Sequence, residues 1–275
     1  MPLVGTICCQ DGKPKSFDQC IGTCRAGGCE HPLPILMSMS RETEKRAGVG
    51  YSSSTLSQCP RQFVLMARND FYEDPNDHYA KWMGTLGHLA VEASGPYEGI
   101  TQEVRYLSTI SVDGVDFELS GQPDWYDEER GILDDYKYTG YPPNGPREEH
   151  EAQLNVYAWL LENNGLPVET ARVIYLHPKS RSTGKRQATY FVPLWTTEAV
   201  ERYIVEKLRP HAQYQRDGNL VKLGLDPIKD AWKAQFCPFR HPRNPGRCCL
   251  TKVEPRVSGL LSGEQVADDT LGERL

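Results

Sequence analysis

The chain has 275 residues, of which 25% are charged and 39% hydrophobic, and its formal net charge is −6. That length can bury a substantial core, and no apolar run is long enough to span a bilayer. The start "MPLVGTICCQ" lacks the basic and apolar regions of a secretory signal, so a cytosolic protein is expected, and the acidic balance argues mildly against a nucleic-acid partner.

In chain order, residues 1–35 are rich in Cys, Gly and Pro without periodicity, which suggests a small metal-pinned segment or a loose arm. A first helix is predicted within residues 52–71, where Ser53 or Ser54 can cap it. The cluster "EDPND" (73–77) breaks it, and a second helix follows at about 78–94. Three strand-like runs come next, at 102–108, 115–127 and 131–139. Asp113-Gly114 and "DEERG" (127–131) punctuate them as turns, so a meander is expected. The loop "GYPPNGP" (140–146) leads to a helix over 147–165, with Gly165 past its end.

The runs 171–177 and 188–194 read as a hairpin joined by a basic segment. A long helix at about 197–215 contains Pro210, which suggests a kink. A short helical run at 228–236 precedes the last cysteines, and residues 255–275 read as a disordered tail. The order of helix, three strands, helix, two strands and helix predicts an α/β fold with a central mixed sheet flanked by helices. Three segments are expected: residues 1–35, a domain over 36–254, and the tail.

Candidate chemistry gathers on the strands. Alternation aims Asp135 and Lys137 at the same face. Antiparallel pairing through the 127–131 turn would bring Asp124 opposite Asp135. Two carboxylates that close are costly unless a cation lies between them. Mg²⁺ or Mn²⁺ suits such oxygen ligands, and a lysine beside the cation can hold or activate a water. His88 shares a helix face with Gly84 and Glu92 and offers a third ligand, better suited to Mn²⁺ than to Mg²⁺. Glu149, Gln153 and Tyr157 share a face of the next long helix. Gln153 and Tyr157 could bind a phosphate or hold the lysine. Each feature alone also has a structural explanation, as an ion pair or an amphipathic face.

The pieces stand in order: His88 in "GTLGHLAVEA", Pro123-Asp124 in "SGQPDW", Asp135-Tyr136-Lys137 in "ILDDYK", and Gln153 to Tyr157 in "QLNVYAW". Over about residues 52–250 this arrangement resembles the PD-(D/E)XK nuclease superfamily. The Q-x-x-x-Y helix is similar to the RecB-type branch, which includes CRISPR-associated adaptation exonucleases and the nuclease domains of AddB-like helicase–nucleases. The resemblance implies a restriction-endonuclease-like core that cleaves DNA with a metal-activated water. It implies His88, Asp124, Asp135 and the Tyr136 carbonyl around Mg²⁺ or Mn²⁺, with Lys137, Gln153 and Tyr157 also in the catalytic set.

The same branch implies a 4Fe-4S cluster, here on Cys59, Cys237, Cys248 and Cys249. The spacing departs from the expected C-x-x-C, because ten residues separate Cys237 from Cys248. Zinc held with His241, or buried free thiols, are the alternatives.

The chain has nine cysteines, an odd number that argues against a disulfide framework. Cys9, Cys20, Cys24 and Cys29, with Cys8 and His31 as spares, have spacings compatible with one zinc ion. A reduced, unstructured arm is the alternative. The basic segments hold Lys179, Arg181, Lys185 and Arg186, then Arg240 and Arg243, which would track a phosphate backbone. Trp125, Tyr138 and Tyr141 offer base stacking.

The expected function is thus a metal-dependent exonuclease on single-stranded DNA, partnered by a protein of repair, recombination or CRISPR adaptation. A catalytically silent DNA-end-binding subunit and a zinc-dependent adaptor are the competing functions. No helicase P-loop is present, so translocation would come from a partner or from digestion itself.

Overall fold

The computed structural model describes residues 3–23, 29–46, 50–93, 95, 97–141, 143–177, 186–220, 223, 237–240 and 244. The elements in chain order are β1 (Leu3–Ile7), β2 (Pro14–Ser16), α1 (Leu33–Arg46), β3 (Tyr51–Ser52), α2 (Pro60–Arg68), β4 (Phe71–Glu73), α3 (Pro75–Glu92), β5 (Ile100–Thr101), β6 (Tyr106–Val112), β7 (Val115–Gly121), β8 (Trp125–Asp127), β9 (Ile132–Tyr138), α4 (Glu148–Asn163), β10 (Thr170–Leu176), β11 (Gln187–Val192) and α5 (Thr197–Asp217). Among the described residues no helix is long and apolar enough to cross a membrane. The predicted helical run 228–236 and the tail 255–275 lie outside the described residues.

The central sheet has the order β11-β10-β9-β8-β5. β9 and β10 are parallel, joined through α4, and the other pairs are antiparallel. The sheet is therefore mixed, as expected. The predicted 115–127 strand is in fact two strands. β7 ends at Gly121 and pairs with β6 and β3 in a second sheet, whereas β8 begins at Trp125 in the central one. The break falls on Gln122-Pro123-Asp124, where Pro123 has no N–H to continue a ladder. The β6–β7 turn is Asp113-Gly114, both at positive φ (50° and 81°), as a tight hairpin requires.

Helix α4 is buried nearly all round. Every residue from Leu154 to Leu161 is buried, and the helix packs between the sheets and α5. Its companion α5 contributes Val200, Ile204, Leu208 and Ala212, one stripe at four-residue spacing. α5 continues through Pro210 to Asp217 and ends at Gly218 in the left-handed conformation.

Two sequence expectations change here. "EDPND" starts a helix rather than only ending one: Asp74 caps α3 by accepting the Asn76 N–H at 2.8 Å, and Pro75 occupies the first turn. The N-terminal region carries regular structure, including α1 and a parallel pairing of β1 with β4. Its core is a separate apolar cluster of Leu3, Phe17, Ile35, Met39, Leu65, Phe71, Cys237 and Phe239, with Trp82 of α3 packed against it. Asn244 fastens this region by accepting the Tyr72 N–H and donating to the Tyr72 and Pro238 carbonyls, each at 2.8 Å.

Candidate active site

The register of β8 and β9 pairs Trp125 with Asp134 and Tyr126 with Leu133. Continued by one residue, it sets Asp124 across from Asp135. The Tyr136 N–H donates to Asp124 Oδ2 at 2.6 Å. Asp124 thus closes the break between the sheets by turning its carboxylate onto β9.

Asp135 is 1% exposed, and its two oxygens lie 2.8 and 2.7 Å from Lys137 Nζ. Oδ2 has the close ion pair but no hydrogen bond of acceptable geometry. Burial pushes the Asp135 carboxyl above its ordinary range, and Lys137 holds it back. Burial disfavours the Lys137 charge, but Asp135, Tyr157 and Asp124 outweigh it and raise the ammonium above its usual value. Lys137 is therefore a cation at neutral pH. A buried pair of this kind contributes little net stability, so its place at a strand end calls for a chemical explanation.

From α3, His88 Nδ1 lies 3.1 Å from Asp124 Oδ1 and 3.6 Å from Glu103 Oε1. Hydrogen bonds to Asp124 and Glu103 raise its pKa to about 10. The imidazolium sits where a metal would satisfy the same carboxylates. Ligand atoms of His88, Glu103 and Asp124 all fall within 4.8 Å of one another. A compact set of two carboxylates and an imidazole fits a divalent cation that accepts oxygen and nitrogen.

On α4, Gln153 Nε2 donates to the Tyr157 hydroxyl at 2.9 Å. Burial pushes that phenol up to about 12, and Ser53 hydrogen-bonds to it. These groups line one cleft of about 390 Å³ with His88, Glu103, Asp124, Lys137 and the serines of residues 52–54.

Glu103 is the site residue that sequence reasoning missed. It lies in "QEVRYLS", read as a strand, but residues 102–105 are irregular and Glu103 has φ 51°. Its N–H donates to the Pro123 carbonyl at 3.1 Å. Gln122 donates to Glu103 Oε2 at 2.8 Å, and Arg105 donates to Gln122 Oε1 at 3.0 Å and Ser120 Oγ at 3.2 Å. A non-glycine residue in this backbone region is strained, and here the strain delivers a carboxylate to the cleft. No spacing rule in the sequence signals it.

The remaining predicted sites are only partly within the described residues. Cys59 is buried just before Pro60, and Cys237 is buried in the N-terminal cluster. Cys248, Cys249 and His241 lie outside the described residues, as do Cys24, Lys179, Arg181, Lys185 and Arg243. Cys9 Sγ and Cys29 Sγ are 4.0 Å apart, while Cys20 Sγ lies 3.3 Å from Thr6 Oγ1. Backbone N–H groups of Asp11 and Gln10 lower the Cys8 thiol pKa. Arg240 pairs with Asp77 at 3.6 Å, and Arg186 lines a second groove beside α3.

The chain is similar in fold to the protein in "Crystal structure of SSO0001", with TM-score 0.53 and 19% identity over 76% of this chain and 95% of that one. It also overlaps weakly with a phage-related exonuclease from Haemophilus somnus 129PT, with TM-score 0.39 and 13% identity over 64% of this chain and 99% of that one. No curated protein matches it in sequence. Residues 94–250, more than half of the chain, match the profile of the PD-(D/E)XK nuclease superfamily. That stretch includes Pro123-Asp124 and Asp135-Tyr136-Lys137, whose carboxylates and lysine meet between β8 and β9, and the chain belongs to the PD-(D/E)XK nuclease superfamily.

Proposed function

We propose that this nuclease is a divalent-metal-dependent exonuclease of single-stranded DNA, of the RecB-type branch. The observation that carries the reading is the meeting of Asp124, Asp135 and Lys137 at one strand end, with His88 delivered from α3. Asp124, Asp135, His88 and Glu103 would hold Mg²⁺ or Mn²⁺. The Tyr136 carbonyl shares the strand edge of the N–H that bonds Asp124. The ion, when bound, polarises the phosphate and lowers the pKa of a water.

The chain's own residues do the rest. Lys137, held as an ammonium by Asp135, donates to the attacking water or to the phosphate and opposes the charge that builds there. Gln153 and Tyr157 wall the cleft beside it and orient donors toward a phosphate. To ligate such an ion beside the acids, His88 would have to give up its proton.

Two buried thiols, Cys59 and Cys237, are chemically suited to an iron–sulfur cluster with Cys248 and Cys249, or to zinc. The Cys9–Cys29 separation of 4.0 Å approximates one edge of a tetrahedral zinc–thiolate site. Cys20, turned toward Thr6, would have to rotate to join it.

The test uses anaerobically purified protein and single-stranded DNA labelled at its 5′ or 3′ end, with EDTA, Mg²⁺ or Mn²⁺. Lys137→Ala is expected to abolish metal-dependent cleavage while keeping fold and DNA binding. Asp135→Ala should in addition weaken Mn²⁺ binding in calorimetry. Undiminished cleavage by Lys137→Ala would overturn the site. No cleavage by wild-type protein that binds DNA would leave a DNA-end-binding subunit.

A further inference from the structure

Arg105 is a charge in the candidate active-site cleft that the chemistry above does not use. It lines the same cleft as His88, Glu103, Asp124 and Lys137. The other cations there are matched by acids. Lys137 lies 2.7 Å from Asp135, and His88 Nδ1 lies 3.1 Å from Asp124 and 3.6 Å from Glu103. Among the described residues no carboxylate pairs with Arg105. Its guanidinium donates instead to two neutral oxygens, Ser120 Oγ at 3.2 Å and Gln122 Oε1 at 3.0 Å.

Strand register explains the placement. β6 and β7 set Leu107 across from Ser120 and Tyr106 across from Gly121, so Arg105 follows on across from Gln122. β3 sets Ser52 beside Ser120 in the same sheet, where neighbouring residues project from one face. Ser52 and Ser54 also line the cleft, with their hydroxyl oxygens 3.1 Å apart. Arg105 is exposed, so an anion can reach it. Two hydrogen bonds fix the plane of its side chain, and a guanidinium has five N–H donors in a fork suited to a phosphate.

One amide ties Arg105 to the candidate metal site. Gln122 accepts from Arg105 through Oε1 and donates through Nε2 to Glu103 Oε2 at 2.8 Å. Two hydrogen bonds and one amide group therefore separate the guanidinium from a carboxylate beside His88 and Asp124. That span is of the order of the spacing between neighbouring phosphates on a strand.

We infer that Arg105, with the Ser52 and Ser54 hydroxyls beside it, binds a second DNA phosphate next to the one being cut. The role rests on the nuclease reading above and makes Arg105 a specificity-determining residue.

The experiment follows steady-state cleavage of single-stranded DNA with Mn²⁺, with one neutral methylphosphonate linkage placed at successive positions from the attacked end. At one position beside the scissile linkage it is expected to raise the wild-type KM about tenfold or more, with kcat within about threefold. Arg105→Ala should raise KM as much on natural DNA, and the same neutral linkage should then add less than about twofold. Arg105→Lys, which keeps the charge without the fork, should recover part of the loss. Strands ending in a phosphate or a hydroxyl assign the subsite to the strand end if the loss follows that terminal group, and to an internal linkage if it does not.

An unchanged KM at every neutral linkage in the wild-type protein, a test that needs no variant to fold, would overturn the inference. So would losses that multiply in Arg105→Ala, or a variant whose only defect is a higher Mn²⁺ requirement. Either result would leave Arg105 as a support for Gln122 and Glu103. Wild-type protein that cuts nothing would sink the nuclease reading alone. Anisotropy in EDTA then decides the subsite: Arg105→Ala should bind labelled single-stranded DNA more weakly, with a salt slope lower by about 0.7. An unchanged slope would overturn the subsite too.

Discussion

Gly121 tests whether the fold and the candidate active-site cleft share one packing constraint. It ends β7 where that strand meets α4, and it also lines the cleft. A Cβ placed there would lie 2.5 Å from Leu160 Cδ1 and 2.8 Å from Tyr157 Cδ1. Comfortable carbon contacts are about 3.5–4.0 Å, so the helix or both side chains must retreat by roughly 1 Å. Leu160 is fully buried and Tyr157 nearly so, which leaves little room. Overpacking of this kind costs about 1–3 kcal/mol, and the tightness here places Gly121→Ala near the top of that range. For a chain of this size that lowers the melting temperature by about 5–10 °C.

The displaced Tyr157 also loses its hydrogen bond from Gln153, so cleavage should fall by about tenfold or more. Leu160→Ala removes the clashing methyl. Alone it should cost about 2–5 kcal/mol, but in the double variant the two changes should compensate by at least about 1 kcal/mol. Thermal melts and end-label assays on the four proteins decide the matter. If Gly121→Ala melts within about 1 °C of wild type, or if the two losses simply add, the packing account is wrong.

Other outcomes follow from buried charges. Arg172 donates two hydrogen bonds to Asp134, at 2.7 and 2.6 Å, across the β9–β10 pair. Arg172→Ala strands a buried carboxylate and should cost about 3 kcal/mol in urea melts; adding Asp134→Ala should recover much of it. His211 is buried against the Tyr51 and Phe63 rings, and burial lowers its pKa to about 4. Its unfolded form titrates near 6.5, so its contribution is constant above that pH and is lost as pH falls from there toward 4. Going from pH 7 to 5 should cost wild type about 2 kcal/mol through this residue. His211→Phe should lack that component, and identical acid sensitivity in the two proteins would show that His211 does not supply it.

Much of this architecture was legible because local signals were strong. Helix α4 stands within two residues of its predicted span at each end, since its apolar run is long and Gly165 follows it. The antiparallel pairing that brings Asp124 to Asp135 follows from a five-residue turn and alternation, and the observed register agrees. The division of residues 115–127 between two sheets was not legible. Alternating apolar residues run across the break, and only Pro123 marks it. Glu103 reaches the site through a left-handed backbone and side-chain support from Gln122, neither of which leaves a spacing pattern. Helix α1 was hidden by composition, because a cysteine- and glycine-rich neighbourhood obscured a polar helix.

The N-terminal apolar cluster has a consequence for the order of folding. It joins Leu3 to Cys237 and Phe239, nearly the whole length of the chain apart. Contacts of such separation carry a loop-closure entropy that nearby pairs avoid, and they form late when a chain assembles. Strands β6 to β11 and the helices α4 and α5 can collapse on contacts closer in sequence, and they already hold Asp124, Asp135, Lys137, Gln153 and Tyr157. Helix α3, which carries His88, leans through Trp82 on the cluster that needs Leu3 together with Cys237 and Phe239. A growing polypeptide is therefore expected to hold most of a hydrolytic site before the imidazole arrives.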